Sequence, residues 1–130
     1  MKTRFEIKRT ESIIEFNKRK KELDAIKNLV KKNKLSKAIS EVNKFIYEYP
    51  DDYYGKFVAA SIYDKLGDTK KAEELYIEVT KGNAKNCYSA YVELGKINES
   101  NCNLEKAEYY YQALNKHHHH HQPLLYTHDH

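Results

Sequence analysis

The chain has 130 residues, with 23 Lys and Arg against 19 Asp and Glu, two Cys, two Pro and four Gly. That length suits one compact domain or a short repeat array. Two cysteines with no Cys-x-x-Cys pair exclude a disulfide framework, and no run approaches the ~20 apolar residues of a membrane-spanning helix. Residues 1–9 hold no apolar core of signal-peptide length, so a cytoplasmic protein with free Cys87 and Cys102 is expected. Charge is uneven: the first 44 residues carry 14 Lys and Arg against 6 Asp and Glu, and the rest carry 9 against 13. A basic N-terminal third precedes a mildly acidic remainder.

In chain order, Phe5 and Ile7 alternate with charged neighbours but have no second strand nearby, so residues 1–9 read as an extended or fraying arm. A long helix is expected from Thr10 or Ser12, either of which can cap its first turn. Ile13, Phe16, Leu23, Ile26, Leu29 and Val30 lie close to one face of it. Asn33, which tolerates a left-handed backbone, should end it. Ser36 is the expected cap of a second helix through Ala38, Ile39, Val42, Phe45, Ile46 and Tyr49, stopped by Pro50. Asp51-Asp52 opens a third helix, with Phe57, Val58, Ala60, Ile62 and Leu66, and Gly67 closes it. Asp68 or Thr69 caps a fourth, through Ala72, Leu75, Tyr76 and Val79, ended by Gly82-Asn83. A fifth covers about Cys87 to Glu99, Asn101-Cys102-Asn103 turns, and a sixth runs from about Leu104 to Asn115.

The helices recur as pairs. Ala38, Ala72 and Ala107 each sit early in the second helix of a pair, 34 and 35 residues apart. Twelve residues before them stand Ile26, Ala60 and Gly95, and four residues after them Val42, Tyr76 and Tyr111. A small residue at a crossing lets two helices approach closely, and a large residue on the next turn fills the space beside it. With Tyr63, Tyr91, Leu94 and Pro50 in addition, residues 19–115 resemble the tetratricopeptide repeat (TPR) family. Lys56, Asn98 and Ile26 depart from the family pattern, standing where an aromatic, a Tyr and a small residue belong. The resemblance implies an all-α fold, a TPR-like α-α superhelix of three helix-turn-helix pairs. The domains expected are 1–18, an N-terminal arm and helix extension, 19–116, the repeat domain, and 117–130, a His-rich tail of tag or vector origin.

The resemblance also implies a concave groove lined by the first helix of each pair. Matching positions are Leu23, Lys27, Tyr54, Phe57, Ser61, Asp64, Ser89, Val92, Glu93 and Lys96. Tyr54 and Phe57 are the expected anchors, because aromatic side chains carry much of the energy at binding surfaces. One branch of the family clamps a C-terminal carboxylate. At the clamp positions this chain has Leu23, Lys27, Val58, Ser89 and Glu93, which argues against that ligand. The basic cluster Lys18-Arg19-Lys20-Lys21 lacks an accompanying nucleic-acid module and reads first as a solvated helix face. The five histidines His117 to His121 have no fixed metal geometry. No phosphate loop, nucleophile elbow or zinc-hydrolase motif occurs, and neither catalysis nor a metal or cofactor is expected.

The function expected is therefore non-catalytic: a scaffold or chaperone-like module holding a peptide or helix of a protein partner in its groove. Two alternatives stand beside it. One is a repeat fragment that self-associates through an end left uncapped after Lys116, where Tyr109, Tyr110 and Tyr111 would be partly exposed. The other is a basic first helix that binds nucleic acid or an anionic surface.

Overall fold

The structure is a computed structural model and describes residues 2–82 and 85–121, with side chains for 2–82 and 86–116. Its described residues form six α-helices and no strand: α1 (Arg4–Lys31), α2 (Leu35–Glu48), α3 (Tyr53–Lys65), α4 (Thr69–Thr80), α5 (Lys85–Ser100) and α6 (Leu104–His121). The all-α class is as expected. The chain divides into two compact units, one up to Pro50 holding α1 and α2, the other from Asp51 onward holding α3 to α6. No described helix is long and apolar enough to cross a membrane.

Three turns share one geometry. Asn33, Gly67 and Cys102 have φ of 61°, 89° and 61°. The residue after each donates its N–H to the carbonyl five positions back: Lys34 to Leu29 (2.9 Å), Asp68 to Tyr63 (2.9 Å) and Asn103 to Asn98 (2.8 Å). This is the Schellman closure of a helix C-terminus. The left-handed residues are 34 and 35 positions apart, so the period carried by the alanines is repeated in the backbone. Cys102 carries a side chain in a conformation that disfavours one. Cys102→Gly is expected to raise the unfolding free energy by up to about 1 kcal/mol, read as a rightward shift of the urea midpoint.

The expected arm is helix instead. Thr3 and Glu6 form a reciprocal cap: the Glu6 N–H donates to Thr3 Oγ1 (3.1 Å) and the Thr3 N–H donates to Glu6 Oε1 (2.8 Å). This capping box starts α1 at Arg4, ahead of Thr10 and Ser12. The Thr3 backbone N–H, followed by the Thr3 side chain, holds the Glu6 carboxyl below its ordinary 4.5. Because the folded-state value is depressed, the cap is complete above pH 4.5 and is lost as pH falls through the lower value. The Thr3 amide resonance should move toward its random-coil position in that acid window, with no matching change at neutral pH.

Ser36 does not cap α2. The N-cap is Lys34, which has no side-chain capping bond; its carbonyl already accepts the Ala38 N–H at 3.0 Å, so Ser36 lies within the first turn. The other helix starts are as expected. Asp52 accepts the Gly55 N–H (3.0 Å) and Asp68 the Lys71 N–H (3.1 Å).

In the first unit, Leu23 and Ile26 of α1 and Ala38, Val42 and Phe45 of α2 are buried. A 28-residue helix is about 42 Å long and a 14-residue one about 21 Å. The shorter α2 ends beside the middle of α1, where Lys18 Nζ lies 3.7 Å from Glu48 and the Arg19 guanidinium sits 5.3 Å over the Tyr49 ring. Part of the basic cluster is thus engaged within its own unit. Ile13 and Phe16 share the apolar face with Leu23 but lie beyond this point and are exposed.

In the second unit, α3 packs on α4, α4 on α5, α5 on α6, and α3 also touches α5. Ala60, Ala72, Tyr76, Val79, Ala90, Leu94, Ile97 and Tyr110 form its core. A Cβ on Gly95 would fall 2.5 Å from Tyr111 Cζ, so the ring occupies the space a side chain would need. Tyr110 is buried, contrary to expectation, while Tyr109 is exposed and Tyr111 half-buried. Asn98 is also buried. Its Nδ2 donates to Glu73 Oε2 (3.0 Å) and to the Leu94 carbonyl (2.8 Å), and Lys106 Nζ reaches the same Glu73 oxygen at 3.1 Å. This network ties α4, α5 and α6 together.

Candidate functional site

The expected groove residues divide between the units. Leu23 and Lys27 belong to the first. Leu23 is buried in the core there and offers no contact surface, which corrects its assignment; the i, i+3 rows that place it on the groove stripe also place it against α2. Lys27 is exposed.

The other eight sit on α3 and α5, which touch within the second unit. On α3, Tyr54, Phe57, Ser61 and Asp64 follow i, i+3, i+4 spacing and share a stripe. Ser89, Val92, Glu93 and Lys96 do the same on α5. Tyr54, Ser89 and Lys96 are exposed, and Phe57, Ser61, Asp64, Val92 and Glu93 are half-buried. Val58, at a clamp position, is buried.

The aromatic end is a short stack. Tyr54 lies nearly parallel to Phe57, centroids 6.4 Å apart and planes at 18°. Phe57 then meets Tyr76 of α4 edge-on, at 5.4 Å and 65°. Phe57 is therefore part core and part surface, whereas Tyr54 rests on it from outside. Burial, followed by the charges of Glu93 and Asp64, pushes the Tyr76 hydroxyl well above the ordinary phenol range. It stays protonated at any ordinary pH.

Tyr76 was expected only as the large residue beside Ala72. Its edge-on contact with Phe57 of α3 is tertiary and has no local sequence signal.

The buried Cys87 thiol lies against carbonyls at and just after the end of α4: Val79 (3.5 Å), Thr80 (3.4 Å) and Gly82 (3.2 Å). Burial pushes this thiol up from its ordinary value, while Cys102 is exposed. In the native protein at pH 8, iodoacetamide should modify Cys102 at least about tenfold faster than Cys87, read by peptide mass spectrometry. Equal rates would contradict the burial.

No family model matches the sequence, and no curated protein matches it significantly.

Proposed function

We propose that the chain is a TPR-like, non-catalytic binding module whose helix pairs continue one another as a superhelix, and that it holds a peptide or helix of a protein partner on the face of α3 and α5. The observation that carries this is the Tyr54–Phe57 stack: a half-exposed aromatic pair on a rigid helix, anchored from behind by buried Tyr76. Rigid aromatic anchors lose little conformational entropy on binding and are enriched among residues that dominate binding energy. The recurrence of buried Ala38, Ala72 and Ala107 with the three matching turns supports the repeat assignment.

Affinity capture with the full chain, compared with Tyr54→Ala and Phe57→Ala, tests it. A partner retained by the parent and lost from Tyr54→Ala supports the face. Undiminished capture by both variants contradicts it.

One observation favours self-association as a second reading. The α5–α6 end has an open hollow of roughly 230 Å³ lined by Leu104, Ala107 and Tyr111 with Glu99, Glu108, Gln112 and Asn115. Leu104 is 66% exposed beside it. Light scattering that gives the monomer mass across concentrations would remove that reading.

A further inference from the structure

Half of α1 is uncovered. The helix has 28 residues and α2 has 14, and Lys18, where the end of α2 meets α1 through Glu48, stands at the midpoint of the longer helix. Every residue from Lys2 to Lys18 is exposed, including Ile7 at 47% and Ile14 at 61%. This uncovered half, residues 4–17, is as long as α2 itself, about 21 Å.

The other half of α1 offers a place of matching length. Together with α2 it forms an open groove of roughly 720 Å³. The apolar lining is Ala25, Ile26, Leu29 and Phe45, and α2 contributes Lys37, Glu41, Lys44 and Glu48, which alternate in sign. Lys44 and Glu41 pair only with each other, at 3.6 Å and with both side chains solvent-facing, a weak bond that leaves them able to re-pair.

The uncovered half and the groove lie along the same side of α1. Ile7, Ile14, Ala25 and Leu29 stand 7, 11 and 4 residues apart, all close to whole helical turns, so they form one stripe. A two-fold contact between antiparallel helices needs its donor half and its acceptor half on one side of the helix. A membrane surface fits less well. An interfacial helix has a single apolar face, whereas Phe5 and Phe16 lie roughly opposite the Ile7 and Ile14 stripe, and Glu6, Glu11 and Glu15 oppose an anionic bilayer.

We propose that the groove is filled by a second copy of this chain. Two α1 helices run antiparallel about a two-fold axis near Lys18, and the uncovered half of each lies in the α1–α2 groove of the other. Ile7 then lies beside the partner's Leu29, and Ile14 beside the partner's Ala25. The uncovered half runs parallel to the α2 it meets, so Lys8 and Glu11 fall opposite the partner's Glu41 and the partner's Lys44, at the same spacing and with opposite signs. At the axis the two Lys18 ammonium groups meet, each already held by a Glu48 at 3.7 Å. Covering half of a helix about 10 Å wide over about 20 Å removes roughly 400 Å² from water. Two uncovered halves and two grooves therefore bury roughly 1,600 Å², the size of a stable interface. The dimer is independent of the peptide-binding face on α3 and α5.

Sedimentation equilibrium of the full chain over roughly 1–200 μM tests this. The mass should approach that of two chains at the upper end. Ile7→Gln with Ile14→Gln should weaken the dimer at least about a hundredfold, each contact being made twice, while circular dichroism shows unchanged helix content. Lys8→Glu and Glu41→Lys should each weaken it about tenfold, and the two together should restore it to within about twofold, a recovery that unfolding cannot mimic. Leu104→Gln, at the α5–α6 hollow, should leave it unchanged.

A monomer mass throughout overturns the proposal, as does a dimer indifferent to the Ile7→Gln/Ile14→Gln pair or one lost on Leu104→Gln instead. Failure of the Lys8→Glu/Glu41→Lys double variant to recover overturns the antiparallel pairing. A monomer that co-sediments with phosphatidylserine–phosphatidylcholine vesicles, and loses them on Ile7→Gln/Ile14→Gln, overturns it in favour of a membrane surface.

Discussion

Ala72→Leu is expected to lower the unfolding free energy by about 1–3 kcal/mol, the usual cost of forcing extra carbons into a packed core. Ala72 has no exposed surface, and neither has Ala60 in the same cluster. Beside them Tyr76 fills the next turn at 2% exposure. Three added carbons would have to enter this packed cluster, so α4 must move off its neighbours or Tyr76 must leave its rotamer. Helix propensity does not offset this, since Leu is no better a helix former than Ala. In a domain of this size each kcal/mol lost lowers the melting temperature by roughly 4–8 °C. Circular dichroism melts of parent and variant give the answer, and coincident curves would mean that α4 does not pack closely at Ala72.

Leu94→Ala should cost more, about 2–5 kcal/mol, because it loses the transfer energy of the side chain and leaves a cavity. Leu94 is fully buried and among the largest side chains that are. It lies on α5 with Ala60, Ala72 and Ile97 in its cluster, so its truncation loosens contacts across both helix pairs of the second unit. Tyr54→Ala is the contrast. Tyr54 is 36% exposed and stacks on Phe57 from outside, so its loss should cost no more than about 1 kcal/mol of stability. Urea unfolding of the two variants separates a residue that holds the fold from one available to a partner. If Tyr54→Ala proved as destabilising as Leu94→Ala, Tyr54 would belong to the core and could not serve as an anchor.

Most helix boundaries were legible because specific side chains make them. Asp52 and Asp68 bring an acceptor to a helix start, and Asn33 and Gly67 tolerate the left-handed turn that ends one. The start of α1 was equally written in the chain, as Thr3 and Glu6 three residues apart. The alternation of Phe5 and Ile7 outweighed that spacing and suggested an arm. Cys102 was legible as part of a turn but not as its left-handed residue, since cysteine has no preference for that conformation. The Schellman geometry imposes it.

Periodicity reports which residues share a face, not what covers the face. Ile13 and Phe16 fall in line with Leu23, but α2 is too short to reach them. Asn98 read as a departure from the family pattern, and nothing local tied it to Glu73. Across 25 residues of sequence they are hydrogen-bond partners, a pairing that no local rule encodes. The candidate face was legible as a set of positions on α3 and α5. Its backing was not, because the buried Tyr76 that meets Phe57 edge-on comes from α4.

Small side chains at helix crossings are the basis of this fold, and the Gly95–Tyr111 contact is their most direct expression. A nuclear Overhauser experiment on the labelled chain should show cross-peaks between the Gly95 α-protons and the Tyr111 ring, with the α-protons displaced by its ring current. A spectrum in which Gly95 lacks any ring contact and its α-protons keep ordinary helical shifts would contradict the packing of α5 on α6.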